Sequence, residues 1–283
     1  MIWYTYAMNK LSNERRSQIV AALVEGNSIR ATARMADVSK NTVIKLLCEL
    51  GAACEAFHNE HARGIASKRV QCDEIWSFCY AKEKNLPKRL RGRKGFGDVW
   101  TWVALDADSK FAVSWLLGDR DAGTANAFME DVAERLRHRV QLTSDGLNAY
   151  LEAVEGAFGA DVDYAMLVKL YSETPESDKR YSPPRCTGCR RTLVTGNPDP
   201  RHVSTSFVER QNLTMRMGMR RFTRLTNGFS KKFENLRAAV ALHFVYYNFA
   251  RVHQTLRMTP AMAAGVADHL WEVRDIVALL DSN

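Results

Sequence analysis

The sequence predicts an α/β fold with a small all-α module in front of it. Two observations carry the α/β part. Runs of β-branched and aromatic residues at 69–80, 98–118, 140–143 and 162–168 read as strands. Between the later runs, residues 124–138 and 147–158 carry apolar positions at helical spacing. A third observation sets off the front: residues 9–60 hold three helical segments, two of them serine-capped, and no strand-like run.

In that front module, Ile19, Val20, Leu23 and Val24 give residues 13–25 a helical stripe that Gly26-Asn27 stops. Ser28 caps a second helix at 29–36, and Asp37-Val38 makes a tight turn. Ser39 caps a third helix, which buries Val43, Leu46 and Leu47 and is expected to end at Gly51. Residues 52–68 read as a helical linker. The arrangement is that of a helix-turn-helix, which presents the front of its last helix to a major groove. Ser39, Lys40, Asn41, Thr42 and Lys45 are the candidate DNA contacts there. The alternative is a plain three-helix bundle with solvated polar faces.

The segment RVQCDEIWSFCY at 69–80 reads as a buried strand with carboxylates in its middle. A buried carboxylate is costly unless it is paired or binds a metal. Successive strand side chains face opposite ways, so Asp73 and Glu74 are not expected to share a site. The loop AKEKNLPKRLRGRKGFG follows, with seven basic residues against one acid, and reads as flexible. It is either a solvated tip or a phosphate-contacting arm, with Arg91 and Arg93 as candidate contacts. A hairpin turning at 106–110, a helix, a strand, a helix and a last strand complete the set. Three strands, helix, strand, helix, strand is the order of an RNase H-like core. Asp145 ends the fourth strand, where open α/β sheets place ligands, and Gly146 is expected to allow a sharp turn. Taken alone, Asp145-Gly146 would be an ordinary turn. Asp106, Asp108, Asp119 and Asp121 are read as hairpin or helix-start residues.

Residues 169–205 are rich in Pro, Gly, Ser and charge and read as a long inserted loop. Cys186 and Cys189 lack a nearby second pair to close a zinc site, although His202 is a distant candidate. Beyond it, Ser206–Glu209 fits a capping box, so Glu209 reads either as a helix cap or as a third site carboxylate. Arg216 lies two turns on, along the same face. From 210 to 232 there are seven basic residues and no acid, including Arg220 and Arg221, a pattern suited to DNA backbone. Residues 236–249 are an apolar helix expected to pack on the sheet, followed by a polar cluster through 256 and a helical end at 260–280.

The composition agrees. Lys and Arg outnumber Asp and Glu by 40 to 32, a formal charge of +8 that favours a polyanionic partner. The chain has no run near the roughly 20 apolar residues of a membrane span, and its N-terminus lacks the pattern of a secretory signal. Six cysteines without a disulfide framework fit a cytoplasm.

Several stretches together resemble the DDE transposases of bacterial insertion sequences, and the insertion-sequence-one family in particular. They are DEIW at Asp73, SDG at Asp145, HVSTSFVERQNLTMRM around Glu209, SKKFEN at 230–235 and YNFARVHQTL at 247–256. The 63 residues between Asp145 and Glu209 exceed the spacing of compact members. The resemblance implies an RNase H-like (retroviral-integrase-like) catalytic domain over 61–283, interrupted at about 169–205, behind an end-binding module over 1–60. It implies Asp73, Asp145 and Glu209 as the metal-binding catalytic triad and Arg216 as its basic companion. It also implies two Mg²⁺ ions per site with Mn²⁺ as a substitute, terminal-repeat and target DNA as partners, and a homo-oligomer on DNA at the nucleoid. The competing expectation is a sequence-specific DNA-binding regulator whose nuclease-like domain is silent.

Overall fold

A computed structural model describes residues 11–172, 186–223 and 227–281. The hydrophobic lead-in at 1–8, the centre of the inserted segment and Arg224 lie outside the described residues.

Three helices open the chain: α1 (Asn13–Val24), α2 (Ile29–Met35) and α3 (Lys40–His61). Ser28 and Ser39 cap α2 and α3 as expected, and Ser12 does the same for α1, each accepting from the backbone amide three residues on. Gly51 does not end α3, which runs on for ten more residues. The helix α7 (Phe233–Val245) crosses here, and a Cβ on Gly51 would fall 2.4 Å from both Cα and Cβ of Ala238. The glycine therefore supplies room for a close helix crossing, not a stop. Gly51→Ala is expected to destabilise the fold by about 2 kcal/mol, overpacking outweighing the helix propensity gained. Thermal melting would show this, and an unchanged midpoint would contradict the close crossing.

The strands are β1 (Arg69–Cys79), β2 (Gly97–Asp106), β3 (Ala112–Gly118), β4 (Val140–Ser144), β5 (Val162–Tyr171) and β6 (Cys186–Thr195). They form one sheet in the order β3-β2-β1-β4-β5-β6. β2 runs antiparallel to both β1 and β3, while β1, β4 and β5 run parallel. The helix α4 (Ala122–Arg135) joins β3 to β4, and α5 (Ala149–Phe158) joins β4 to β5. The inserted segment is not wholly loop. β5 runs on past Val168, and β6 returns antiparallel along it. β6 is an exposed edge strand, and a register shift between Cys186 and Gly188 sets Cys186 beside Tyr171 and Cys189 beside Lys169, two positions on one face of β5.

Both sheet faces are covered. Cys72 and Trp102 join Phe128 of α4, Tyr150 of α5 and Ile19, Val43 and Leu47 of the opening helices in one continuous core. On the other face, Ile75 and Val103 meet Val208 and Met215 of α6 (Ser206–Gly218) and Leu236, Val240 and Phe244 of α7. Thus α7 is apolar nearly all round because it serves two layers: Ala238, Ala241, Leu242 and Val245 belong to the first core. The turn after it carries the buried Asn248, whose amide holds both backbone groups of Ala112 at the start of β3. Two short helices, α8 (Pro260–Ala263) and α9 (Val273–Ala278), close the chain. The basic segment after β1 is folded down by buried Leu86 and Leu90 rather than loose. No helix among the described residues is long and apolar enough to cross a membrane.

Candidate active site

The parallel register of β1 and β4 determines the centre of the site. Arg69 lies beside Gln141 and Cys72 beside Ser144, so Asp73 and Asp145 are the next pair along, where β4 ends. Residues side by side on parallel strands point the same way, and Asp145 is steadied by accepting from the Leu147 amide at 3.0 Å. Gly146 does not have a left-handed backbone; it is small because a Cβ there would meet Val168 at 2.9 Å.

Asp73 emerges on the α6 side, where Asn212 donates to it at 2.8 Å. Glu74 emerges on the opposite side, as strand alternation requires. Even so, Asp73, Glu74 and Asp145 each bring a carboxylate oxygen within 4.8 Å of the others. The expectation that alternation keeps Glu74 away fails because β4 has ended, and Asp145 stands where the two faces are no longer separated. Arg120, from the turn before α4, holds both carboxylates. Its Nε donates to Glu74 at 3.1 Å and its Nη2 lies 3.5 Å from Asp145, with the guanidinium over the Trp100 ring.

Glu209 comes from α6, whose start is held from the sheet. Thr205 is the N-cap and gives no side-chain cap, and the expected capping box does not form. Instead the buried Gln71 of β1 accepts from the amides of Phe207 at 2.8 Å and Val208 at 3.2 Å. Gln71 and Asp73 share a strand face, so one strand positions both the first carboxylate and the helix bearing the third. Glu209 lies one turn into α6, accepts from Thr205 Oγ1 at 2.5 Å, and is paired with Lys169 of β5. Gln71→Ala removes two cap bonds and is expected to cost about 2 kcal/mol by urea denaturation, with a cost near zero contradicting the cap.

Asp73, Asp145 and Glu209 all line a single cleft of about 580 Å³, together with Arg120, Lys169 and the turn before α5. Burial, then the charge of Asp145, pushes Asp73 up to about 7 and Glu74 likewise up to about 7. Burial also raises Asp145, against the opposing pull of the Leu147 amide and Arg120. Crowded carboxylates that resist ionisation mark a place where positive charge is wanted. Glu74 Oε1 is buried and lacks a hydrogen-bond partner, the Tyr150 hydroxyl approaching without bonding geometry. An all-oxygen donor set with an unsatisfied acceptor fits a hard divalent ion such as Mg²⁺.

The other predicted residues fall elsewhere. Ser39 and Thr42 are 2.9 Å apart and spend their hydroxyls on each other and on the α3 cap. Lys40 and Asn41 line a second cleft, of about 780 Å³, against Arg220 and Arg221; no acidic side chain among the described residues lines it. Arg221 is turned inward and donates to Ser230 at 2.9 Å. Lys45 is exposed and 3.7 Å from Glu49. Arg91 and Arg93 are exposed on the basic segment, and the half-buried Arg216 lines neither cleft. Sequence reading missed Gln71, Arg120, Lys169 and Asn212 and set Glu74 aside. DEIW did carry a signal for Glu74, a second acid beside Asp73.

No protein-family model matches the chain, and no curated protein matches it. Among solved structures it is similar to a Mos1 transposase paired-end complex with left transposon end, at 14% identity and a TM-score of 0.22. That likeness covers 52% of this chain and 58% of the Mos1 chain. A pre-cleavage Mos1 transpososome is 11% identical, covering 84% and 78%, with a TM-score of 0.29. A piggyBac transposase synaptic complex with hairpin DNA is 11% identical, covering 96% and 71%, with a TM-score of 0.42. Likenesses this remote leave the functional reading to the site and the sequence motifs.

Proposed function

We propose that the chain is a DDE-type transposase of the insertion-sequence-one type, which binds the ends of a mobile DNA element and cuts and joins DNA strands there. The observation that carries the reading is the β1–β4 register that sets Asp73 beside Asp145, with Glu209 across the same cleft. The strand order and directions support an RNase H-like core, and the motifs around the three carboxylates support the family. Residues 61–283 form the catalytic domain, and residues 1–60 serve as a helix-turn-helix module for the terminal repeats. Its exposed Lys40 and Asn41 share a basic cleft with Arg220, which suits a DNA backbone.

Asp73, Asp145 and Glu209 would hold the divalent ions, with Glu74 behind them. When bound, such ions would activate the attacking water or 3′-hydroxyl and neutralise charge on the leaving oxygen. The protein's own part is alignment. Gln71 and Asn212 fix the α6 side, the Leu147 amide fixes Asp145, and Thr205 orients Glu209. No side-chain nucleophile is required, because the attacking group in each displacement comes from water or from DNA.

The test is incubation with labelled duplex carrying the element's ends, in Mg²⁺ and in EDTA. End-specific nicking followed by joining to target DNA, dependent on Mg²⁺, is the expected result. Tight end binding without cleavage in Mg²⁺ or Mn²⁺ would instead assign the chain to the DNA-binding regulators.

A further inference from the structure

Two cations, Arg120 and Lys169, line the carboxylate cleft. We propose that Arg120 and Lys169 form a DNA phosphodiester site that neutralises the carboxylates until divalent ions displace it. The pair then transfers to the phosphate oxygens of the bound strand. The inference rests on the transposase reading and adds a substrate site to it.

Arg120 is built for such a transfer. Its backbone is held on both sides: the Trp102 indole donates to the Asp119 carbonyl at 3.1 Å, and Asp121 caps α4 through the Thr124 amide at 2.8 Å. Its side chain is anchored at one end by Glu74, which is 8% exposed, and by the Trp100 face 4.9 Å away. The other end, Nη2, reaches Asp145 at only 3.5 Å and lines the cleft, the side chain as a whole being 37% exposed. These contacts use two of the five N–H donors, and a planar guanidinium suits a phosphate. Glu74 then serves as the tether of Arg120. Lys169 is the counterpart on β5. It pairs with one oxygen of Glu209, while Thr205 holds the other, so Glu209 keeps its orientation when the lysine leaves.

Charge arithmetic gives the order of events. With all four carboxyls ionised, Asp73, Glu74, Asp145 and Glu209 carry a formal −4 and the two cations +2, which leaves −2. A DNA phosphate is repelled by that surface. Two dications reverse the total to +2, and the same two side chains, freed from Asp145 and Glu209, face an anion they attract.

The experiment uses the full chain and its Arg120→Gln, Lys169→Gln and Arg120→Lys variants. Mn²⁺ binding is measured without DNA by calorimetry. DNA affinity is measured against salt with and without Ca²⁺, as the ion least suited to cutting. Both Gln variants are expected to bind Mn²⁺ several-fold more tightly, because a competing cation is gone. With Ca²⁺, each should lose about 0.9 from the slope of log affinity against log salt, one phosphate contact. Without Ca²⁺ the slope should not change, and Arg120→Lys should keep the wild-type slope. Unchanged or weaker Mn²⁺ binding, or a Ca²⁺ slope equal to wild type, overturns the proposal. Wild-type cleavage is scored separately, so a chain that does not cut DNA defeats the transposase reading while Mn²⁺ binding still decides the exchange.

Discussion

Asp145→Asn is expected to lower single-turnover strand cleavage by about a thousandfold or more while leaving end binding within a few-fold of wild type. The substitution keeps the shape and the bond from the Leu147 amide but removes the charge shared between Asp73 and Glu74. Metal ions lower such barriers by several kcal/mol, and each 1.36 kcal/mol is tenfold in rate. Asp73→Asn should behave in the same way. Glu209→Gln should too, because its carboxylate lines the same cleft and its charge reaches both aspartates. Near-normal cleavage by any one variant removes that residue from the catalytic set.

The second large effect is on stability, and its sign follows from the raised carboxyls. Asp73 and Glu74 ionise near 7 in the fold, against 3.8 and 4.5 as ordinary side chains. A group whose folded pKa is raised contributes stability fully below its unfolded value. That contribution is lost as pH rises from about 4 to about 7. Divalent ions must compete with these protons. The stabilisation they bring is therefore small at pH 5 and large at pH 8. At a hundredfold excess over the dissociation constant it amounts to about 2.7 kcal/mol. For a chain of this size that is a rise in melting temperature of about 4–5 °C. Thermal melts with and without Mn²⁺ from pH 5 to 8 would show the trend. An equal shift at both ends of that range, or an undiminished shift in Asp145→Asn, would contradict it.

The reading of the sequence reached the elements whose signal is local. Serine caps, strand-type runs and the hairpin marked most of the helices and the first five strands where the structure has them. The strand β6 escaped because it is an exposed edge, with Thr, Arg and Cys in place of an apolar alternation. Gly51 reads as a helix stop because its purpose, the approach of Ala238, lies 187 residues further along the chain. In the site, the acids stood out because carboxylates inside apolar runs are costly. Their supports did not. Gln71 looks like an ordinary polar strand residue until α6 is placed over it, and Arg120 looks like a solvated turn cation until β4 ends beside Glu74. The alternation that sets Glu74 apart from Asp73 holds along a strand and lapses where the neighbouring strand stops.

The most direct measurement is single-turnover cleavage and joining on duplex DNA bearing the element's ends, with wild type and Asp145→Asn side by side in Mg²⁺. The account predicts nicked and joined product from wild type, none in EDTA, and a loss of about three orders of magnitude in the variant at near-equal end binding. Equal cleavage by both proteins, or product that persists in EDTA, would contradict a carboxylate-held metal site at Asp73, Asp145 and Glu209.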